Sequence, residues 1–304
     1  MMLSLLLNVL VNNIVPAFVV IGVGFIFDRT IKPHIPTISR LALYALSPAL
    51  VFSLLVTSEL EQSQLTQVAG YAAAIFVLMV AVSLLMARAL RLDQATGPSF
   101  ALASSMVNSG NFGLSVILFA YGEAGLQLAV IYFVTSAIMA NTLGALIASR
   151  SQGSWKQSLR GVLRLPVIYA TIIAVGFRVA GYTPPEVAMR PLSTIGQAAV
   201  PVMLLMLGMQ LSQTKVQQDL KLASLAAVNK LVVMGLLAFG LAEVMGLSGL
   251  VRQVCIVESC TPAAVTAVLL ATEFRARPQV VASTVFLSTL ASAVTLTVVI
   301  ALLG

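Results

Sequence analysis

Two stretches decide how this chain folds: Ser105-Met-Val-Asn108-Ser109-Gly110-Asn111-Phe112-Gly113 and Cys255-Ile-Val-Glu258-Ser259-Cys260-Thr261-Pro262. Each is a polar interruption in an apolar run. Val107 and Val257 stand 150 residues apart (257 − 107), so the interruptions fall at matching places in two halves of a 304-residue chain. In the first, glycines and asparagines each weaken a helix by roughly 0.5–1 kcal/mol relative to alanine. In the second, Pro262 lacks an N–H and clashes with the carbonyl four residues back, that of Glu258.

The surrounding sequence is 59% hydrophobic and 9% charged, with a mean hydropathy of +1.02. Soluble domains carry about 25% charged residues, so lipid must cover this surface. The chain accommodates ten transmembrane segments of about 20 residues. They read as 7–27, 38–58, 67–88, 98–121, 126–148, 165–181, 191–211, 221–246, 249–272 and 279–303. The N-terminal apolar stretch continues into a full span and reads as segment 1, not as a removed signal. No soluble domain or long tail is expected.

The net charge of +7 does not imply a nucleic-acid partner, because the basic residues are spread over alternate loops. Thirteen of the 17 lie on one side: Arg29, Lys32, Arg40, Arg88, Arg91, Arg150, Lys156, Arg160, Arg164, Lys215, Lys221, Arg275 and Arg277. The positive-inside rule makes that side cytoplasmic and puts both termini outside. Cys255 and Cys260, five residues apart on a helix, do not share a face and suggest neither a disulfide nor a metal site. His34 reads as a loop residue.

The halves echo each other at a common offset. Pro16 and Pro166, Val23-Gly24-Phe25 and Val175-Gly176-Phe177, and Pro48 and Pro201 are separated by 150 to 153 residues. Five segments per half inverts the second half in the membrane. The reading is therefore two repeats, 1–150 (segments 1–5) and 151–304 (segments 6–10). Matched breaks in such repeats mark the binding site of a secondary transporter. No phosphate loop, His/Cys cluster or activated serine points to an enzyme.

Unwound backbone inside a membrane is tolerated only where protein or a water-filled cavity satisfies it. The first break therefore faces the interior, and its amides suit an anion or a cation. Asn108, Ser109, Gly110, Asn111, Thr261 and Pro262 are the candidate substrate contacts. Glu258 lies near midplane, where an acid is a functional candidate by default. With Ser259 it offers oxygens to Na⁺ or a site for a proton; no other cofactor is expected. Lys230, also deep, either pairs with Glu258, as a partner in ion or proton coupling, or snorkels along its stem. Asn141, Thr135 and Ser136 of segment 5 are candidates to line the site.

Leu46-Ser47-Pro48-Ala49-Leu50-Val51-Phe52, the 108–114 break, the Pro262 stretch and Leu287-Ser288-Thr289-Leu290 together resemble the auxin efflux carrier family. Its bacterial members are often described as malate or malonate permeases. The resemblance spans essentially the whole chain. It implies an all-α, ten-helix fold like that of bile acid:sodium symporters, with segments 4 and 9 broken and crossed near Asn111, Gly113 and Pro262. It also implies a scaffold (segments 1, 2, 6, 7), a core (segments 3–5, 8–10), elevator-like movement between them, and homodimerisation through the scaffold. Glu258 is similar to the sodium-liganding glutamate of bile acid symporters, with Asn108, Ser109 and Thr135 as matching ligands. Ser115 stands where auxin carriers often have proline. The expected function is Na⁺- or H⁺-coupled transport of a small organic anion, malate-like or auxin-like, across the inner membrane. A bile-acid-type symporter and a ligand-binding membrane sensor without transport are the alternatives.

Overall fold

A chain that lipid surrounds must satisfy its backbone internally, and this one does so with helices. The computed structural model describes residues 2–94, 96–149, 161–214, 219–273 and 276–304. Arg150, Lys156, Arg160, Lys215 and Arg275, counted among the loop charges above, lie outside them. In order, the helices are α1 Met2–Ile31, α2 Ile35–Val56, α3 Gln62–Ala89, α4 Thr96–Ser105, α5 Ser109–Ala148, α6 Pro166–Val179, α7 Glu186–Gln213, α8 Leu220–Val244, α9 Gly249–Ser259, α10 Val265–Glu273 and α11 Pro278–Leu303. Seven (α1, α2, α3, α5, α7, α8 and α11) are long and apolar enough to cross a membrane. Among the described residues the one extended pairing is an isolated antiparallel bridge, Val107 to Ala263.

Several boundaries depart from the sequence reading. The expected fourth segment is divided: α4 stops at Ser105 and helix resumes at Ser109. The expected ninth is likewise divided into α9 and α10. The expected loop 122–125 is only a bend. Gly122, at φ 65° and ψ −160°, turns the chain where a residue with a Cβ would be strained, and helix continues on both sides. α7 starts at Glu186, not 191, because extended Pro185 precedes it and Glu186 pairs with Arg190 at 2.7 Å one turn on. Pro48 is accommodated by a π-turn, Ala42–Leu46, just before it. The wider turn frees carbonyls, and Ser47 Oγ donates to that of Ala42 at 2.7 Å.

Small residues set the closest packing. A Cβ on Gly24 of α1 would strike the Leu205 backbone of α7, and one on Gly208 of α7 would strike Ile21 of α1. A Cβ on Gly196 of α7 would come within 2.8 Å of the Leu50 backbone of α2. Such approach is the usual basis of helix association in lipid. The α1 and α7 ends are also tied by polar bonds. Buried Asp28 accepts from Ser212 Oγ and from Gln213 Nε2 (3.1 Å), and Arg29 donates to the Ser212 carbonyl at 2.9 Å. α2 also packs on α6; α3 packs on α4, α5, α8 and α9; α11 packs on α4, α8 and α10. Phe18 of α1 meets Phe112 edge-on, 5.8 Å between centroids, so the first break leans on α1.

Candidate functional site

The two breaks meet, and each supplies what the other lacks. α4 ends at Ser105, leaving Met106, Val107 and Asn108 non-helical. Asn108 N–H donates to the Pro262 carbonyl at 2.9 Å, and Ala264 N–H donates to the Met106 carbonyl at 3.1 Å. Ala263 N–H is taken by Ser288 Oγ of α11 at 3.1 Å. These bonds replace the helical ones that both chains lose, as buried backbone groups require. The Asn108 carbonyl then accepts from Phe112 N–H (3.3 Å) and Gly113 N–H (2.9 Å), opening α5 with a π-turn. Pro262 frees the Glu258 carbonyl as expected. Thr261 takes it, through N–H at 3.3 Å and Oγ1 at 2.7 Å.

Glu258 is fully buried, and neither carboxyl oxygen has a hydrogen-bond partner. Its carboxyl group lies against Gly113, where any Cβ would overlap it. An unpaired charge in such a place costs several kcal/mol, so the group needs a proton or a cation. A single carboxyl with two free oxygens fits an alkali cation or a proton. No cluster of three His, Cys, Asp or Glu that could hold a metal exists among the described residues. Asn108 Nδ2 and Ser115 Oγ are also buried and unpartnered. The first is a donor, suited to an anion.

Lys230 takes neither of the courses open to it in the sequence. It is fully buried, so it does not snorkel, and its Nζ donates to the Ser259 carbonyl at 2.9 Å, not to Glu258. A π-turn, Asn229–Val233, carries it, and Asn229 Nδ2 reaches Ser83 Oγ of α3 at 3.2 Å. Ser259 Oγ donates to the Cys255 carbonyl (2.7 Å) and bonds Tyr132 OH of α5 (2.9 Å). Its oxygens are thus engaged within the protein. Thr135 Oγ1 bonds its own helix at the Ile131 carbonyl, 2.9 Å.

In front of the breaks lies a cavity of about 340 Å³. Asn108, Ser109, Gly110 and Asn111 line it together with Ser136 and Asn141 of α5. Val265 and Thr266, at the start of α10, Leu43 of α2 and Val167 of α6 also line it. Two helix N-termini therefore reach the cavity, and their first N–H groups lack helical partners. That end carries about half a positive charge. No lysine or arginine appears among the described wall residues; Glu273 is the one charged group. Thr261, Pro262, Gly113, Glu258 and Ser259 stand behind this wall. Thr266 and Tyr132 were missed by sequence reasoning. Thr266 follows Pro262 by four residues, a cue that was available; nothing marked Tyr132.

A second cavity, about 410 Å³, lies further along α2 and α5. Ser53 of α2 and Thr57 just beyond its end, Glu123 and Gln127 of α5, and Arg190 and Gln197 of α7 line it.

Comparison with known proteins gives the family. A family model described as membrane transport protein matches residues 9–300. An uncharacterized transporter of Methanothermobacter thermautotrophicus is 28% identical over 295 residues, 97% of this chain and 94% of its own. An uncharacterized transporter of Methanocaldococcus jannaschii is 24% identical over 274 residues, 87% of this chain and 88% of its own. The chain is an integral membrane protein and belongs to the membrane transport protein family, that of the auxin efflux carriers.

Proposed function

We propose that this protein is a secondary carrier for a small organic anion, working by elevator-type alternating access and coupled to Na⁺ or H⁺ through Glu258. The observation that carries the proposal is the junction of the two breaks through Val107 and Ala263, with a cavity before it and an unpartnered acid behind it. Broken helices in this arrangement present N-terminal ends to anionic groups. In this reading the chain crosses the membrane ten times as two inverted repeats. α4 with 109–121 is the fourth crossing, 123–148 the fifth, and α9 with α10 the ninth.

α1, α2, α6 and α7 form the scaffold, and the remaining helices form the moving core. Glycine-mediated contacts at Gly24, Gly196 and Gly208 support a rigid scaffold. Both cavities border α2 and α5, at different levels along them, which supports a sliding boundary between the two sets. The basic loops face the cytoplasm, both termini face outward, and the carrier resides in the inner membrane. Apolar residues exposed on α1 and α6, among them Val19, Ile26 and Ile172, suit lipid or a second scaffold. The cavity has apolar walls and no described basic side chain, which favours one carboxylate on an apolar body over malate or malonate.

Uptake of labelled monocarboxylates into proteoliposomes, with and without Na⁺ and pH gradients, tests the reading. Gradient-driven uptake is expected, and Glu258→Gln is expected to abolish the dependence on the coupling ion. Normal, gradient-sensitive transport by that variant would sink the coupling role. Binding without counterflow would favour a sensor.

A further inference from the structure

Lys230 is the one fully buried basic side chain among the described residues, and nothing in the proposed anion path uses it. Its Nζ lies 2.9 Å from the Ser259 carbonyl, the last residue of α9. In an unbroken helix that carbonyl would accept from Ala263 N–H, but Ser288 Oγ has taken that donor. Ser259 would otherwise be an orphan at a helix C-terminus, where the last carbonyls carry partial negative charge. In carriers with broken helices, such C-terminal ends and unwound carbonyls are where coupling cations bind.

The lysine is held there by construction. The π-turn at Asn229–Val233 widens α8 beneath it. Asn229 is anchored to Ser83, and Tyr132 fixes Ser259 from the α5 side. Glu258, one residue earlier, sends its carboxyl group to Gly113 instead. The two buried ionisable groups thus serve separate positions one residue apart on α9.

We infer that the Lys230 ammonium is a tethered cation, filling at the C-terminal end of α9 a seat that would otherwise bind a metal ion. The exchangeable cation or proton is thereby confined to Glu258. This rests on the reading of the α9 break as an ion-handling site.

Thermal unfolding of the purified, detergent-solubilised protein tests it, in sodium, potassium, ethylammonium or choline chloride at equal ionic strength. Lys230→Ala opens the seat. It is expected to lose melting temperature in choline and to regain at least half of the loss in sodium or ethylammonium. Lys230→Met fills the seat with an apolar stem and is expected to gain no such response. Wild type is expected to be indifferent to ethylammonium. A Lys230→Ala protein that melts like wild type in choline overturns the inference. So does one that recovers with none of the cations, or that cannot be recovered folded with any of them present from solubilisation onward. The Glu258→Gln arm separates the two readings. If its cation response equals that of wild type while ethylammonium rescues Lys230→Ala, the coupling role of Glu258 fails and the tethered cation stands. The reverse pattern sinks the tethered cation alone.

Discussion

The two breaks are built alike in backbone and oppositely in chemistry. The α4/α5 break is neutral: Gly110, two asparagines and N–H groups of a starting helix face the cavity. The α9/α10 break holds a proline, an acid and a captured lysine, all set behind the wall. In the proposed carrier, donors would meet an anion in front, while the buried ionisable groups, Glu258 and Lys230, stand at the back. The two breaks touch at Gly113 and Glu258, where the start of α5 meets the unpartnered acid.

The sharpest way to break that comparison is Gly113→Ala. Its Cβ would overlap the Glu258 carboxyl group, which is buried and tightly surrounded. Overpacking of this kind costs about 1–3 kcal/mol, and here the displaced group is the acid proposed to couple transport. We expect a lower melting temperature and loss of ion-coupled uptake. Gly110→Ala is the control: its Cβ would meet the Phe133 ring edge at 2.7 Å, and a ring edge at a cavity wall has room to turn. Equal damage from both substitutions would mean that the breaks are merely tight, and that Glu258 has no special seat.

The legible part of this architecture lay in residues that cannot continue a helix. Pro262 and the glycine–asparagine run placed both breaks to within a few residues, and the apolar composition required a membrane. What stayed hidden depends on contacts between distant segments. No local cue says that the Pro262 carbonyl will receive Asn108 N–H, 154 residues away (262 − 108). The choice of Lys230 between Glu258 and a backbone carbonyl turns on a π-turn, which widens one turn and re-aims the side chain without altering the apolar pattern. Ser259 looked like an ion ligand because of its position. Its oxygens prove to be engaged by Cys255, Tyr132 and Lys230. Gly122 looked like a loop and is a bend, since a single positive φ suffices there.

A smaller effect, on the front of the site, sharpens the division of labour. Asn108 Nδ2 is buried without a partner, so its removal deletes no internal bond. Asn108→Ala should leave the melting temperature nearly unchanged and raise the apparent KM for the transported carboxylate about tenfold, equivalent to about 1.4 kcal/mol. The ion dependence of uptake should persist. A stability loss with unaltered KM would place the amide among structural groups and remove it from the anion site.

The smallest expected effect falls on Thr261, which the sequence offers as a substrate contact and the structure turns inward. Its hydroxyl donates to the Glu258 carbonyl at 2.7 Å and so holds the carbonyl that Pro262 leaves without a helical donor. Thr261→Val keeps the shape and deletes that bond. Hydrogen bonds between buried groups in membrane proteins average about 0.6 kcal/mol, so a slight fall in melting temperature is expected, with KM and ion dependence unchanged. Because the main-chain N–H of Thr261 still reaches the same carbonyl at 3.3 Å, the break should hold its geometry. If uptake instead collapses while the protein stays folded, the hydroxyl turns outward during the cycle. The back of the site would then exchange partners with the front, and the division between binding and coupling breaks would not survive.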